Sequence, residues 1–305
     1  MFLKTKDIPL DAGFDDREFE NIFLHNRYPG DKNGKSVTPA EKAELWALYD
    51  APVRYNGINM LRELRSLWGI HLTLNIGPRS GANKAPRGVV RLKTGKGQAL
   101  TVYFEGYSGN ISDATRDIVA FAPYGNAEKS RALSQKFFIR LVVPLKGLAP
   151  LMKIESLLMA YSLAACIDKK HFAGIVDPDI FLFVPPTAAR AGLAHYHRED
   201  RLLNTHLVSG FNFYDKEGAA RFFTHGLNRF GLSDILIGEA EKNPLTTEHY
   251  GTALRHAHGI FLKHLMGAAG KEKLTPFKAR NALPQQVGAM LGKNVALARL
   301  PAAQG

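Results

Sequence analysis

Three groupings of side chains in this chain are of types that do chemistry: clustered histidines, a glycine–lysine–serine loop, and cations interleaved with aromatics. His195-Tyr196-His197 lies beside Glu199 and Asp200, with His206 further on. Imidazoles two apart on a strand share a face and could hold a metal with a nearby carboxylate completing the shell. The preceding run Ala188–Leu193 reads as helix, on which positions 195 and 197 diverge. His249, His256 and His264 follow a helical stripe, too far apart along the axis to grip one ion, and His258 faces elsewhere. The paired-Cys and His-x3-His spacings of structural zinc are absent, so no metal site is expected. A metal-dependent hydrolase built on His195 and His197 is retained as a third functional class.

The loop Pro29-Gly30-Asp31-Lys32-Asn33-Gly34-Lys35-Ser36 ends in Gly-Lys-Ser. A phosphate loop needs a glycine where Pro29 stands, and a helix whose first amides face the phosphate. The helix start sits later, at Thr38-Pro39-Ala40-Glu41, where Thr38 can cap, Pro39 suits the first position and Glu41 completes a capping box. Nucleotide binding is not expected, and no cofactor is implied. Gly106-Tyr107-Ser108-Gly109 is one residue short of a nucleophile elbow and follows a hairpin strand. Asp177 and Asp179 flank Pro178, a pattern that belongs to a turn. The single cysteine, Cys166, sits in an apolar run and reads as a packing residue; it excludes an internal disulfide.

The third grouping is basic. Arg79, Lys84, Arg87, Arg91, Lys93 and Lys96 fall within eighteen residues with no acidic residue among them. They are expected to form the exposed centre of a positive face. Tyr103, Phe104 and Tyr107 follow and would stack on bases if exposed. Lys plus Arg is 40 against 28 Asp plus Glu, a net charge of +12. That excess favours acidic partners, polyanions or anionic lipid surfaces by long-range attraction.

The elements that must position these groups alternate between helix and hairpin. Helical periodicity marks Asp15–His25 and Ile58–Trp68; strand alternation marks Ile70–Ile76. Val89–Lys93 and Gln98–Phe104 flank the turn Thr94–Gly97. Phe137–Val143 is a strand, Ala149–Ile167 a helix, and Ile180–Val184 an apolar strand against which Leu157, Leu158, Tyr161 and Ala165 are expected to pack. Leu207–Tyr214 and Ala219–Thr224 form a second hairpin, followed by the strand Ile235–Ile237 and the helix Thr246–Met266. In the tail only Asn294–Leu300 looks strand-like. The fold class is therefore α+β, with mixed, mainly antiparallel sheets packed by long amphipathic helices. Two regions are expected, 1–130 with the basic hairpin and 131–305. Hydrophobic residues at 45 % support a sizeable core. The N-terminus does not resemble a signal peptide and no uninterrupted apolar run reaches about 18 residues, so no membrane span and a cytoplasmic location are expected.

Between the second hairpin and its following strand lies Gly226-Leu227-Asn228-Arg229-Phe230-Gly231. The two glycines bracket a single helical turn with Leu227 and Phe230 beneath it. With Gly210–Tyr214, Phe222–Leu232 and the helix Thr246–Met266, this element resembles the bacterial domain-of-unknown-function family numbered 4261, over residues 137–267. No catalytic residues are established for that family. The resemblance implies a non-enzymatic bacterial protein of immunity or accessory type in toxin and secretion neighbourhoods. An acidic protein partner is then the first expectation. Nucleic-acid binding through the basic hairpin is the alternative, weak and non-specific if incidental.

Overall fold

The computed structural model describes residues 42–53, 56–69, 71–77, 86–93, 99–197, 207–216, 219–232, 234–237, 250–265, 275–277 and 295–298. The chain divides into two units, one of residues 1–148 and 152–207, the other of residues 149–151 and 208–305.

The first unit is organised around β1 (Lys42–Tyr49), a strand whose composition favours helix. Lys-Ala-Glu-Leu-Trp-Ala-Leu-Tyr follows the helix start read at Thr38–Glu41, which itself lies outside the described residues. The helix expected there is corrected to a strand from Lys42 onward. Ala43 and Leu45 through Tyr49 are fully buried. A strand covered on both faces carries no polar–apolar alternation, so periodicity does not reveal it, and burial overrides its weak helical propensity.

Six further strands complete the sheet: β2 (Leu72–Ile76), β3 (Arg87–Lys93), β4 (Ala99–Ser108), β5 (Phe137–Pro144), β6 (Phe172–Asp177) and β7 (Leu182–Val184). Their order is β2-β3-β4-β5-β1-β6-β7, with every neighbouring pair antiparallel. The boundary expected near residue 130 would cut this sheet, because β5 sits between β4 and β1. The observed division falls near residue 207 instead.

Helices lie on both faces. Tyr49 belongs to one face and Trp46 and Leu48 to the other, by the two-residue period of a strand. On the Tyr49 side lies α4 (Pro150–Ile167): the Tyr49 hydroxyl donates to the Ala164 carbonyl at 2.7 Å. Before it in the chain, α1 (Gly57–Trp68) buries Met60, Leu61 and Leu64, and its Trp68 indole donates to Ser162 of α4 at 3.1 Å. Asn56 caps α1 through its side chain, accepting from the amides of Ile58 and Asn59. The Trp46 side carries α2 (Asp113–Phe121) and α3 (Asn126–Leu133), which supply Val119 and Ala132 to a cluster with Trp46, Leu48, Phe138 and Phe183. Finally, α5 spans Pro186–His197.

α4 is apolar all round and not amphipathic, the pattern of a core helix. Leu157, Leu158 and Tyr161 are buried and Ala165 half-buried. By length and composition it is long and apolar enough to cross a membrane, and 61 % of it is buried inside the protein.

The second unit holds a five-stranded sheet in the order β11-β12-β10-β9-β8. Its strands are β8 (Gly210–Lys216), β9 (Ala219–His225), β10 (Asp234–Ile237), β11 (Thr275–Phe277) and β12 (Val295–Ala298). The β10–β12 pair is parallel and the others antiparallel. β9 and β10 are joined by a 3-10 turn, Leu227–Phe230, with Gly226 at φ 84° and Gly231 at φ 77°. Both angles lie in the left-handed region that glycine adopts without a Cβ penalty. Leu227 and Phe230 are buried under the turn, and Phe230 packs on Phe261 of α6 (Tyr250–Leu265) at 5.3 Å between ring centroids. Asp234 accepts from the Leu227 amide at 3.0 Å, which pins the turn to the start of β10. The architecture is α+β with a large, mainly antiparallel sheet.

Candidate functional site

The six cations of the basic segment do not form one exposed face. Arg79, Lys84 and Lys96 lie outside the described residues. Arg87, Arg91 and Lys93 share one face of β3 by their two-residue spacing. Along it Lys93 is exposed, Arg91 half-buried and Arg87 buried, with 9 % of its surface accessible. Arg87 is thus corrected from an exposed cation to a buried one. The reason lies in the register: Arg87 pairs with Glu105 on β4, Glu105 with Arg140 on β5, and Arg140 with Trp46 on β1. Residues directly opposed across strands share a face, so opposite charges alternate along this row. Arg140 closes the network on Glu44 of β1, with Nε to Oε1 at 2.6 Å and Nη2 to Oε2 at 2.7 Å. Burial would lower the Arg140 pKa, but hydrogen bonds and charge from Glu44 outweigh it and hold the guanidinium ionised.

The aromatic residues expected as a stacking platform are largely core. Tyr103 and Phe104 are buried. Half-buried Tyr107 stacks on Phe138 at 5.2 Å, and Phe138 stacks on Trp46 at 5.3 Å. Burial, reinforced by hydrogen bonding to Glu105, raises the Tyr107 pKa. Gly106, read as part of an incomplete nucleophile elbow, is a strand residue in close contact: a Cβ there would lie 2.7 Å from the Phe137 ring.

The histidine cluster is only partly within view. Positions 195 and 197 fall on α5, so they diverge around the helix as its period requires. Glu199, Asp200, His206 and His249 lie outside the described residues. Half-buried His258 meets Phe211 edge-on at 6.5 Å. Among the described residues no group of three or more His, Cys, Asp or Glu side chains is placed to hold a metal.

A cleft at the end of the first sheet brings together residues that no sequence motif linked. Its volume is about 660 Å³, within the range of small-molecule sites. Asn59 and Glu63 of α1 line one wall, Cys166 and Ile167 the end of α4, and Asp168 to His171 the loop into β6. Behind His171 stands Asp50, the residue that follows β1. Asp50 Oδ1 lies 2.8 Å from His171 Nδ1, and its Oδ2 accepts from Arg131 Nε at 2.7 Å. Arg131 also donates to the Lys170 carbonyl at 2.7 Å, and the Asp50 amide donates to the His171 carbonyl at 3.0 Å. Partial burial would raise the Asp50 pKa, but Arg131 and His171 outweigh it and hold the carboxyl below its usual value. In the neutral imidazole, Nδ1–H donates to the carboxylate and Nε2 is left as an acceptor.

Two further groups on the wall are already engaged. Lys169 Nζ lies 2.9 Å from Glu63 Oε2, a charge contact rather than an aligned hydrogen bond. Burial, together with the neighbouring Glu63 charge, pushes the Cys166 thiol up to about 12. Cys166 is half-buried and a weak nucleophile. Asp50 and His171 are far apart in sequence and meet because β1 and β6 are neighbours. The Asp168-Lys169-Lys170 run before His171 is the only local sign that a polar loop sits there.

No protein-family model, curated protein or solved structure matches the chain.

Proposed function

We propose that the chain is a non-enzymatic binding protein for an acidic protein partner, in the immunity or accessory role that the resemblance over residues 137–267 implies. The observation that carries the reading is the charge: 40 Lys and Arg against 28 Asp and Glu, net +12. Such an excess speeds encounter with an acidic surface and makes it sensitive to salt. Exposed Lys93 and Lys136 belong to this field. Burial of Tyr103 and Phe104 removes the stacking platform that the nucleic-acid alternative would use.

The test is surface plasmon resonance on the full chain, with poly-L-glutamate and a panel of duplex DNAs as probes. The on-rate to polyglutamate should fall steeply between about 50 and 200 mM salt. DNA should bind without sequence preference, at about 10⁻⁴–10⁻⁶ M. Tight binding to one DNA sequence overturns the reading.

A further inference from the structure

The cleft beside Asp50 and His171 presents three polar groups that no other described residue engages. Among the described residues, the Lys170 ammonium, the Asn59 carboxamide and Nε2 of His171 make no hydrogen bond or ion pair, although all three residues line the cleft. The other charged walls are internally matched. Glu63 faces Lys169, and Asp168 accepts from the His171 amide at 3.3 Å. Among the described residues, the uncommitted charge in the cleft is therefore a single cation, Lys170. In the neutral imidazole, with Nδ1–H turned to the Asp50 carboxylate that Arg131 holds, the uncommitted nitrogen is an acceptor.

These groups specify a ligand by elimination. A lone ammonium attracts an anion. An acceptor nitrogen repels a second anionic oxygen and asks instead for an O–H donor. Asn59 can donate or accept. Met60, Ile167 and Pro52 add apolar lining. The cleft, at about 660 Å³, accommodates a molecule of six or more heavy atoms.

We propose that this cleft binds a small hydroxylated monoanion, a hydroxycarboxylate whose carboxylate lies on Lys170 and whose hydroxyl donates to Nε2 of His171. Asp50 and Arg131 are positioning residues: they orient the imidazole and do not touch the ligand. The site is independent of an acidic protein partner, and either reading can fail alone.

Calorimetric titration of the full chain with gluconate and with hexanoate, six-carbon carboxylates that differ in their hydroxyls, tests it. Gluconate should bind about tenfold more tightly than hexanoate, a difference of about 1.4 kcal/mol. Lys170→Gln, on an exposed side chain, should weaken both. Asp50→Asn removes the carboxylate that fixes the tautomer and should reduce the preference for gluconate while leaving hexanoate affinity unchanged. Circular dichroism confirms the fold of each variant. Equal binding of the two acids, no binding of gluconate up to about 10 mM, or unchanged affinity in Lys170→Gln overturns the proposal.

Discussion

Arg140 and Glu44 form a two-pronged ion pair across the β5–β1 junction, with both contacts at or below 2.7 Å and both side chains largely withdrawn from water. The Trp46 indole donates to the same Glu44 oxygen at 2.9 Å. The carboxylate thus ties together two strands that are distant in sequence. Removing one partner leaves a buried charge uncompensated. Glu44→Ala should lower unfolding stability by about 3–5 kcal/mol. The double change Glu44→Leu with Arg140→Met should cost clearly less. Urea denaturation of the three proteins checks the order, and an equal loss in both variants contradicts it.

Asp50 makes stability depend on pH at the acid end. Its folded pKa lies below the ordinary aspartate value of 3.8. A carboxyl with a depressed folded pKa contributes stability above its unfolded pKa and loses it as pH falls through the folded one. The contribution of Asp50 should therefore be complete above about pH 5 and fade below about pH 4. Melting temperatures of the parent and Asp50→Asn should differ at pH 6 and converge towards pH 2. A gap that stays constant over that range would show that the carboxylate charge is not what matters.

Cys166 should be a slow thiol. With its pKa near 12 in place of the ordinary 9.0, the thiolate fraction near pH 8 falls about a thousandfold. Iodoacetamide labelling of the native protein, followed by mass spectrometry, should be at least about a hundredfold slower than labelling in guanidinium. Comparable rates in the two conditions contradict the burial assigned to this side chain.

Gly174 of β6 has φ 137°, and a Cβ there would stand 2.6 Å from the Phe183 ring. Gly174→Ala combines backbone strain with a clash in the Trp46-side core and should cost about 2–5 kcal/mol. Adding Phe183→Leu should recover only the part due to the clash. A variant as stable as the parent would mean that β6 and β7 are less closely packed than described.

The hairpins, the helix at 150–167 and the glycine-bracketed turn at 226–231 are legible in the sequence because each is a local pattern: a two-residue alternation, a continuous apolar run, a pair of glycines. β1 is not legible, since its eight residues suit a helix and only burial on both faces makes them a strand. The candidate cleft is equally hidden. Asp50 follows β1, His171 precedes β6, and Arg131 comes from α3; no local pattern joins them, only the pairing of β1 with β6 and the helix beside it. The cations of β3 illustrate the opposite error. Spacing alone gives Arg87, Arg91 and Lys93 a common face, while the acid that faces Arg87, Glu105, stands on β4.

The sheet order also constrains the path by which the chain folds. Strands β2 to β5 follow one another in both sequence and space, so they can zip as successive local pairings. β1 cannot join them early, for its neighbours β5 and β6 are made long after it. Until residue 177 is available, the apolar run Leu45–Tyr49 has only one of its two flanks to find. Loop-closure entropy makes that late insertion the slow event, and an unpaired apolar strand is the species most exposed to wrong association meanwhile. β1 is thus the keystone of the first unit: first among the described strands to leave the ribosome and among the last to be locked.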